Sequence, residues 1–205
     1  MRSSARNPIA AWALLVFLTL PSCSGGEKVG IEEGLAAFDS GDYATALKEF
    51  RSLARTGNPK AQYKLGEMYN YGLGVGKDYA KARFWYLKAA QQGVAEAQFN
   101  LGELYSKGLG IPKDHAKAIL WYRLAAEQGH PKAQFHLGSW YANGQGVKQD
   151  GVLAYMWYAL SARQGDAKAT ESRNLLSKEL TPAQIADAQK LIGEWKPKNE
   201  KVAAN

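Results

Sequence analysis

Cysteine is almost missing from this chain. One residue of 205, Cys23, is a cysteine, so no internal disulfide can form and no cysteine-rich metal cluster can be built. Histidine is scarce too, with His115, His130 and His136 the only three. None has a metal-ligand spacing such as HExxH, and the nearest pair, His130 and His136, should face different ways if a helix starts between them. Long hydrophobic runs are lacking: the longest, Ile9 to Leu20, is about 12 residues where a bilayer core needs roughly 20. Alternating strand-like runs are absent, and glycine, though abundant at 21, follows no Gly-X-Y period. Catalytic motifs are missing as well. No GxSxG or SxxK stands in a plausible context, and Gly72-x-Gly74-x-Gly76 has no strand before it, so it reads as a helix-to-helix turn rather than a phosphate loop. No enzyme activity, cofactor or metal is therefore expected. The formal charge of +7 is mild and the basic residues form no stripe along the sequence, which gives no ground for nucleic-acid binding.

What is present begins with an address. Arg2 and Arg6 precede the apolar run, which has the length of a signal-peptide core and ends in Pro21-Ser22-Cys23. Leu20-Pro21-Ser22-Cys23 resembles the bacterial lipobox, in which Leu stands three residues before a lipidated cysteine. That resemblance implies a signal peptide over 1–22, lipidation of Cys23, export across the inner membrane and, because Ser24 rather than Asp follows, an outer-membrane lipoprotein facing the periplasm. Pro21 departs from the motif, so cleavage after Ser24 and a soluble secreted protein is the alternative. Loss of residues 1–22 removes two basic residues and no acids, leaving 24 against 19, or +5. Residues 23–29 read as a polar tether.

A 36-residue period organises the rest. From Ala61 and Ala97 the chain aligns without gaps, sharing 20 of 36 positions, and a third copy starts at Ala133. In each unit the spacing predicts a helical hairpin. Ala61, Leu65, Met68 and Tyr69 fall on one helix face. Gly66, Gly102 and Gly138 sit beside that face, each costing about 1 kcal/mol relative to alanine, as a close approach of the partner helix would require. Gly72 and Gly74, with their counterparts, turn the chain. Asp78, Asp114 and Asp150 cap the second helices, whose Trp-Tyr pairs at 85–86, 121–122 and 157–158 read as core. Gly93, Gly129 and Gly165 end them.

The pattern Ala-Gln-x-x-Leu-Gly…Tyr…Gly-x-Gly…Asp…Trp-Tyr…Gln-Gly resembles the Sel1-like repeat, a longer relative of the tetratricopeptide repeat. The resemblance implies an all-α, right-handed α-solenoid of about ten helices. The units are a tetratricopeptide-like N-terminal repeat at 30–60, Sel1-like repeats at 61–96, 97–132 and 133–168, capping helices at 169–195 and a polar, disordered tail at 196–205. It also implies a concave groove lined by the first helices: Tyr63, Glu67 and Tyr71, then Phe99, Glu103 and Lys107, then Phe135, Ser139 and Asn143. The aromatic ladder Tyr63-Phe99-Phe135 either lines that groove or packs between repeats. The expectation is a non-catalytic scaffold of the bacterial cell envelope that binds a protein or peptide. The alternatives are a glycan- or peptidoglycan-binding accessory or envelope enzyme, with Glu67 and Glu103 as its carboxylate pair, or an exported effector engaging host proteins.

Overall fold

The computed structural model describes residues 24–198; the signal segment, Cys23 and residues 199–205 lie outside the described residues. Among the described residues there are ten α-helices and no strand. They run α1 (Ser24–Ser40), α2 (Tyr43–Arg55), α3 (Pro59–Tyr71), α4 (Tyr79–Gln91), α5 (Ala95–Lys107), α6 (His115–Glu127), α7 (Pro131–Asn143), α8 (Gly151–Ala162), α9 (Ala167–Leu176) and α10 (Pro182–Glu194). Consecutive helices from α1 to α9 pack as antiparallel neighbours, giving the stacked hairpins of a solenoid.

The boundaries follow from local chemistry. Asp78, Asp114 and Asp150 accept from the backbone N–H three residues on, starting α4, α6 and α8. Gly72, Gly108 and Gly144 stop α3, α5 and α7 in the left-handed conformation, at φ 77°, 71° and 68°. Between helices, small residues face large ones: Ala61, Ala82, Ala89, Ala97, Ala118 and Ala125 are wholly buried beside Tyr86 and Tyr122. Gly66, Gly102 and Gly138 lie directly under the rings of Tyr86, Tyr122 and Tyr158, where an added Cβ would sit 2.5, 2.6 and 2.8 Å from ring carbons.

The repeated glutamines form a ladder across the repeat boundaries. Gln62, Gln98 and Gln134 are buried, and each donates its amide to a carbonyl of the preceding helix, Ala54, Ala90 and Ala126. Their own carbonyls accept from Gln92, Gln128 and Gln164 at the end of the second helices. Each rung thus satisfies polar groups that would otherwise be buried unpaired at about 1–3 kcal/mol each.

Two expectations need correction. The polar stretch 23–29 is helical from Ser24 onward, because α1 propagates backward from the segment that packs on α2 and no proline interrupts it. Lys196–Lys198, expected to open a disordered tail, lie against α6, with the Lys198 N–H donating to the Glu127 carbonyl at 2.8 Å. At the C-terminal end α10 packs on α8. There it buries Ala188 and Ile192, while Trp195 reaches the α6–α7 turn beside Gly129.

Candidate functional site

On the first helices, the residues pointing away from the second helices come together between α3 and α5. A cavity of about 260 Å³ lies there, lined among others by Asn70, Tyr71, Lys77, Asn100, Glu103 and Lys107. A second, of about 300 Å³, shares Tyr71, Phe99 and Asn100 with it and adds Tyr63, Glu67, Glu96, His130 and Lys132. Six of the nine groove residues expected from the sequence, Tyr63, Glu67, Tyr71, Phe99, Glu103 and Lys107, therefore line one continuous depression. Phe135, Ser139 and Asn143 on α7 lie outside these two cavities; Asn143 donates to the Ser139 carbonyl at 2.8 Å.

The three aromatics of the ladder are half-buried, and each rests on the tyrosine of its own repeat: Tyr63 on Tyr86, Phe99 on Tyr122 and Phe135 on Tyr158, at centroid distances of 5.9, 5.8 and 5.7 Å. They pack within repeats and lend one edge to the depression. Tyr71, 59% exposed, is the aromatic most open to a partner.

Equivalent carboxylates are held differently. Glu67 accepts from the Tyr63 hydroxyl at 2.9 Å and from Lys64 at 2.7 Å. Glu103 accepts from Tyr122 at 2.5 Å and pairs with Lys107. Burial would raise the Glu103 carboxyl, but the bonds from Lys107 and Tyr122 and the nearby His136 and Lys107 charges outweigh it, and the group lies below its ordinary range. The tyrosine hydroxyls shift the other way, since burial and the nearby carboxylates push Tyr63, Tyr86 and Tyr122 well up. Tyr63 occupies Glu67, and among the described residues the Tyr86 hydroxyl makes no hydrogen bond, whereas Tyr122 in the next repeat makes two.

His130 and His136 do not face different ways. Both meet the Phe99 ring, His130 stacked at 4.8 Å and His136 at 5.7 Å, and His136 also stacks on Tyr122 at 5.2 Å. The sequence reading missed this because His130 is the N-cap of α7: its Nδ1 accepts the Ala133 N–H at 3.2 Å, which swings the ring toward α5. Asn100 was missed too, although the polar trio Lys64, Asn100 and His136 recurs at one repeat position.

Burial holds both imidazoles below their usual value, with Glu96 opposing and Lys132 reinforcing at His130, and Glu103 and Asp166 opposing and Lys107 and Lys132 reinforcing at His136. A depressed histidine contributes stability that is fully present above the unfolded pKa of about 6.5 and is lost as pH falls through the folded value. The protein should therefore melt at lower temperature at about pH 5.5 than at about pH 7.5. Since Asn58 caps α3 at the matching position, His130→Asn should keep the α7 cap and make that pH dependence shallower. An unchanged slope in calorimetry would show that His130 does not titrate across folding.

Stacked helical hairpins with a polar, aromatic-bearing face on their first helices define an α-solenoid of the interaction type. The Sel1 repeat model matches residues 59–94, 95–130 and 131–166, more than half of the chain, and the chain belongs to the Sel1 repeat family. Proteins of this family are generally non-catalytic scaffolds that mediate protein–protein interaction. The fold is similar to a Sel1 repeat protein from Oxalobacter formigenes, at 41% identity and a TM-score of 0.67, over 69% of this chain and 58% of that one. The antigen c5321 of uropathogenic Escherichia coli, described as displaying an SLR fold, matches at 33% identity and a TM-score of 0.49, over 74% of this chain and 40% of that one. This chain thus spans less than two thirds of either neighbour. No curated protein matches it.

Proposed function

We propose that the protein is a non-catalytic adaptor of the bacterial cell envelope that captures an extended protein or peptide segment in the concave depression between α3 and α5. The carrying observation is the convergence of exposed Tyr71 with Asn70, Asn100, Lys107 and Glu96 around two joined cavities. Aromatic rings offer contact area at low entropic cost, and side-chain amides pair with a peptide backbone without regard to its sequence. Glu103 works there as a fixed charge. Its bonds to Tyr122 and Lys107 keep it ionised, the opposite of what a proton-donating carboxyl of a glycosidase needs, and this weighs against the envelope-enzyme reading. The leader and Cys23 support an outer-membrane lipid anchor, which would hold the array at the periplasmic surface.

In-cell photocrosslinking from Tyr71, with exposed Gln189 on α10 as the control, tests the reading. Discrete, protease-sensitive adducts should form at Tyr71 alone and weaken by about tenfold in an Asn100→Ala, Lys107→Ala variant. Equal labelling at both positions, or adducts sensitive to a muramidase and not to protease, would overturn it.

A further inference from the structure

The second helices carry a different surface on the far side of the hairpins. Their outward positions recur every 36 residues, and one series reads Lys48, Phe84, Leu120 and Met156. Met156 is only 6% exposed and Leu160, one turn on, 4%; both lie on α8, against which α10 packs. Phe84 and Leu120 occupy the same register on α4 and α6, and among the described residues no helix covers them; they are 50% and 52% exposed. The Trp85 ring stands edge-on to Phe84 at 4.9 Å, broadening the apolar patch.

The rim of this patch is basic. Exposed Lys81 and Lys88 flank Phe84, exposed Lys117 and Arg123 flank Leu120, and exposed Lys48, Arg51 and Arg55 continue the face on α2. Lys81 and Lys117 stand one 36-residue repeat apart and Arg51 and Arg123 two, so residues distant in sequence share this face. Lys81 and Lys117 share their charge with the capping Asp78 and Asp114, at 3.0 Å each. Among the described residues neither Lys88 nor Arg123 meets a carboxylate; Lys88 lies 5.1 Å above the Phe84 ring, and Arg123 donates to the Tyr141 hydroxyl.

We propose that the outer face of α4 and α6 docks an acidic amphipathic helix of a partner protein. Phe84 and Leu120 would receive its apolar side as Met156 and Leu160 receive α10, and Lys88 and Arg123 would pair with its carboxylates. The helical form of the occupant follows from continuity with the α8–α10 packing, where this chain already lays a helix on the same register. Its charge follows from complementarity. A second copy of this chain docking face to face is disfavoured, because it would set the same basic residues against one another. The site is separate from the depression between α3 and α5, so the two readings stand or fall independently.

The test uses the mature chain and a synthetic fluorescent helix of about 18 residues. The peptide places apolar residues at the spacing of Ile185, Ala188, Ile192 and Trp195 and glutamates on both flanks. Anisotropy titration should give a Kd of about 10 µM, weakened at least about tenfold in a Phe84→Ser, Leu120→Ser variant and unchanged in Asn100→Ala. A lysine-flanked peptide of the same apolar spacing should bind at least about tenfold more weakly, and a Lys88→Glu, Arg123→Glu variant should reverse that preference. All four positions are exposed, and circular dichroism confirms that each variant folds. Failure of the glutamate peptide to bind overturns the proposal. So does indifference to Phe84 and Leu120, or binding only to vesicles of phosphatidylglycerol and phosphatidylcholine, which would make the face a membrane contact.

Discussion

Replacing Gly102 with alanine should destabilise the array by about 1–3 kcal/mol, even though alanine is the better helix former by about 1 kcal/mol. The added Cβ would lie 2.6 Å from two carbons of the Tyr122 ring. That ring has nowhere to go, being 1% exposed, with its hydroxyl on Glu103 and the His136 ring stacked on it. The strain would therefore pass to Glu103 and Lys107, and the depression between α3 and α5 should lose partner binding together with stability. Gly193 in α10 is the internal control, since a Cβ there meets nothing within 4 Å. Gly193→Ala should stabilise by up to about 1 kcal/mol. Urea titrations of the two variants read the opposite signs, and a Gly102→Ala protein as stable as the parent would mean that Tyr122 is not fixed as described.

The second large effect is expected at Gln98. Its side chain is fully buried, donates to the Ala90 carbonyl at 3.1 Å and accepts from Gln128 at 2.7 Å. Leucine fills a similar volume but strands both partners, at a cost of about 2–4 kcal/mol. Gln62→Leu should cost less, because Gln92 keeps a second bond to the Gly57 carbonyl at 2.9 Å. Calorimetry ranks the two variants, and amide exchange should show the loss at Gln98 concentrated where α4, α5 and the α6–α7 turn meet. Equal effects would show that the second acceptor of Gln92 is not used in solution.

How far the molecule was legible beforehand depended on whether a feature repeats. Glycine turns, aspartate caps and the close-approach glycines of the first helices recur at 36-residue steps, so each had three witnesses in the sequence and could be placed on a helix end or face. The glutamines recur as faithfully, yet their role was not read, because a hydrogen bond between residues 30 apart has no local signature. What does not recur was lost. The imidazoles around Phe99 have no counterparts in the other units: His130 stands where Asn58 and Val94 precede α3 and α5, and His136 stands where Lys64 and Asn100 do. The return of α10 onto α8 depends on tertiary packing of Ala188 and Ile192, which an amphipathic pattern cannot aim. In the depression, the first-helix stripe was readable from period alone, but the contraction of the site to α3 and α5 came from which side chains found partners nearby.

The glutamine ladder also bears on how such a chain could change its length over generations. Each rung pairs the two helices of one unit, as Gln92 donates to Gln62, and ties that unit to the one just before it, as Gln62 donates to the Ala54 carbonyl; none reaches further. A tandem copy of residues 95–130 would carry its own Gln98–Gln128 pair and present its Gln98 amide to the Ala126 carbonyl of the unit before it, and every rung would close again. Whole units can thus be gained or dropped by recombination without retuning the units that remain, while an insertion of any other length would leave a buried amide facing the wrong carbonyl. The rung length acts as a gauge that admits additions only in steps of one repeat.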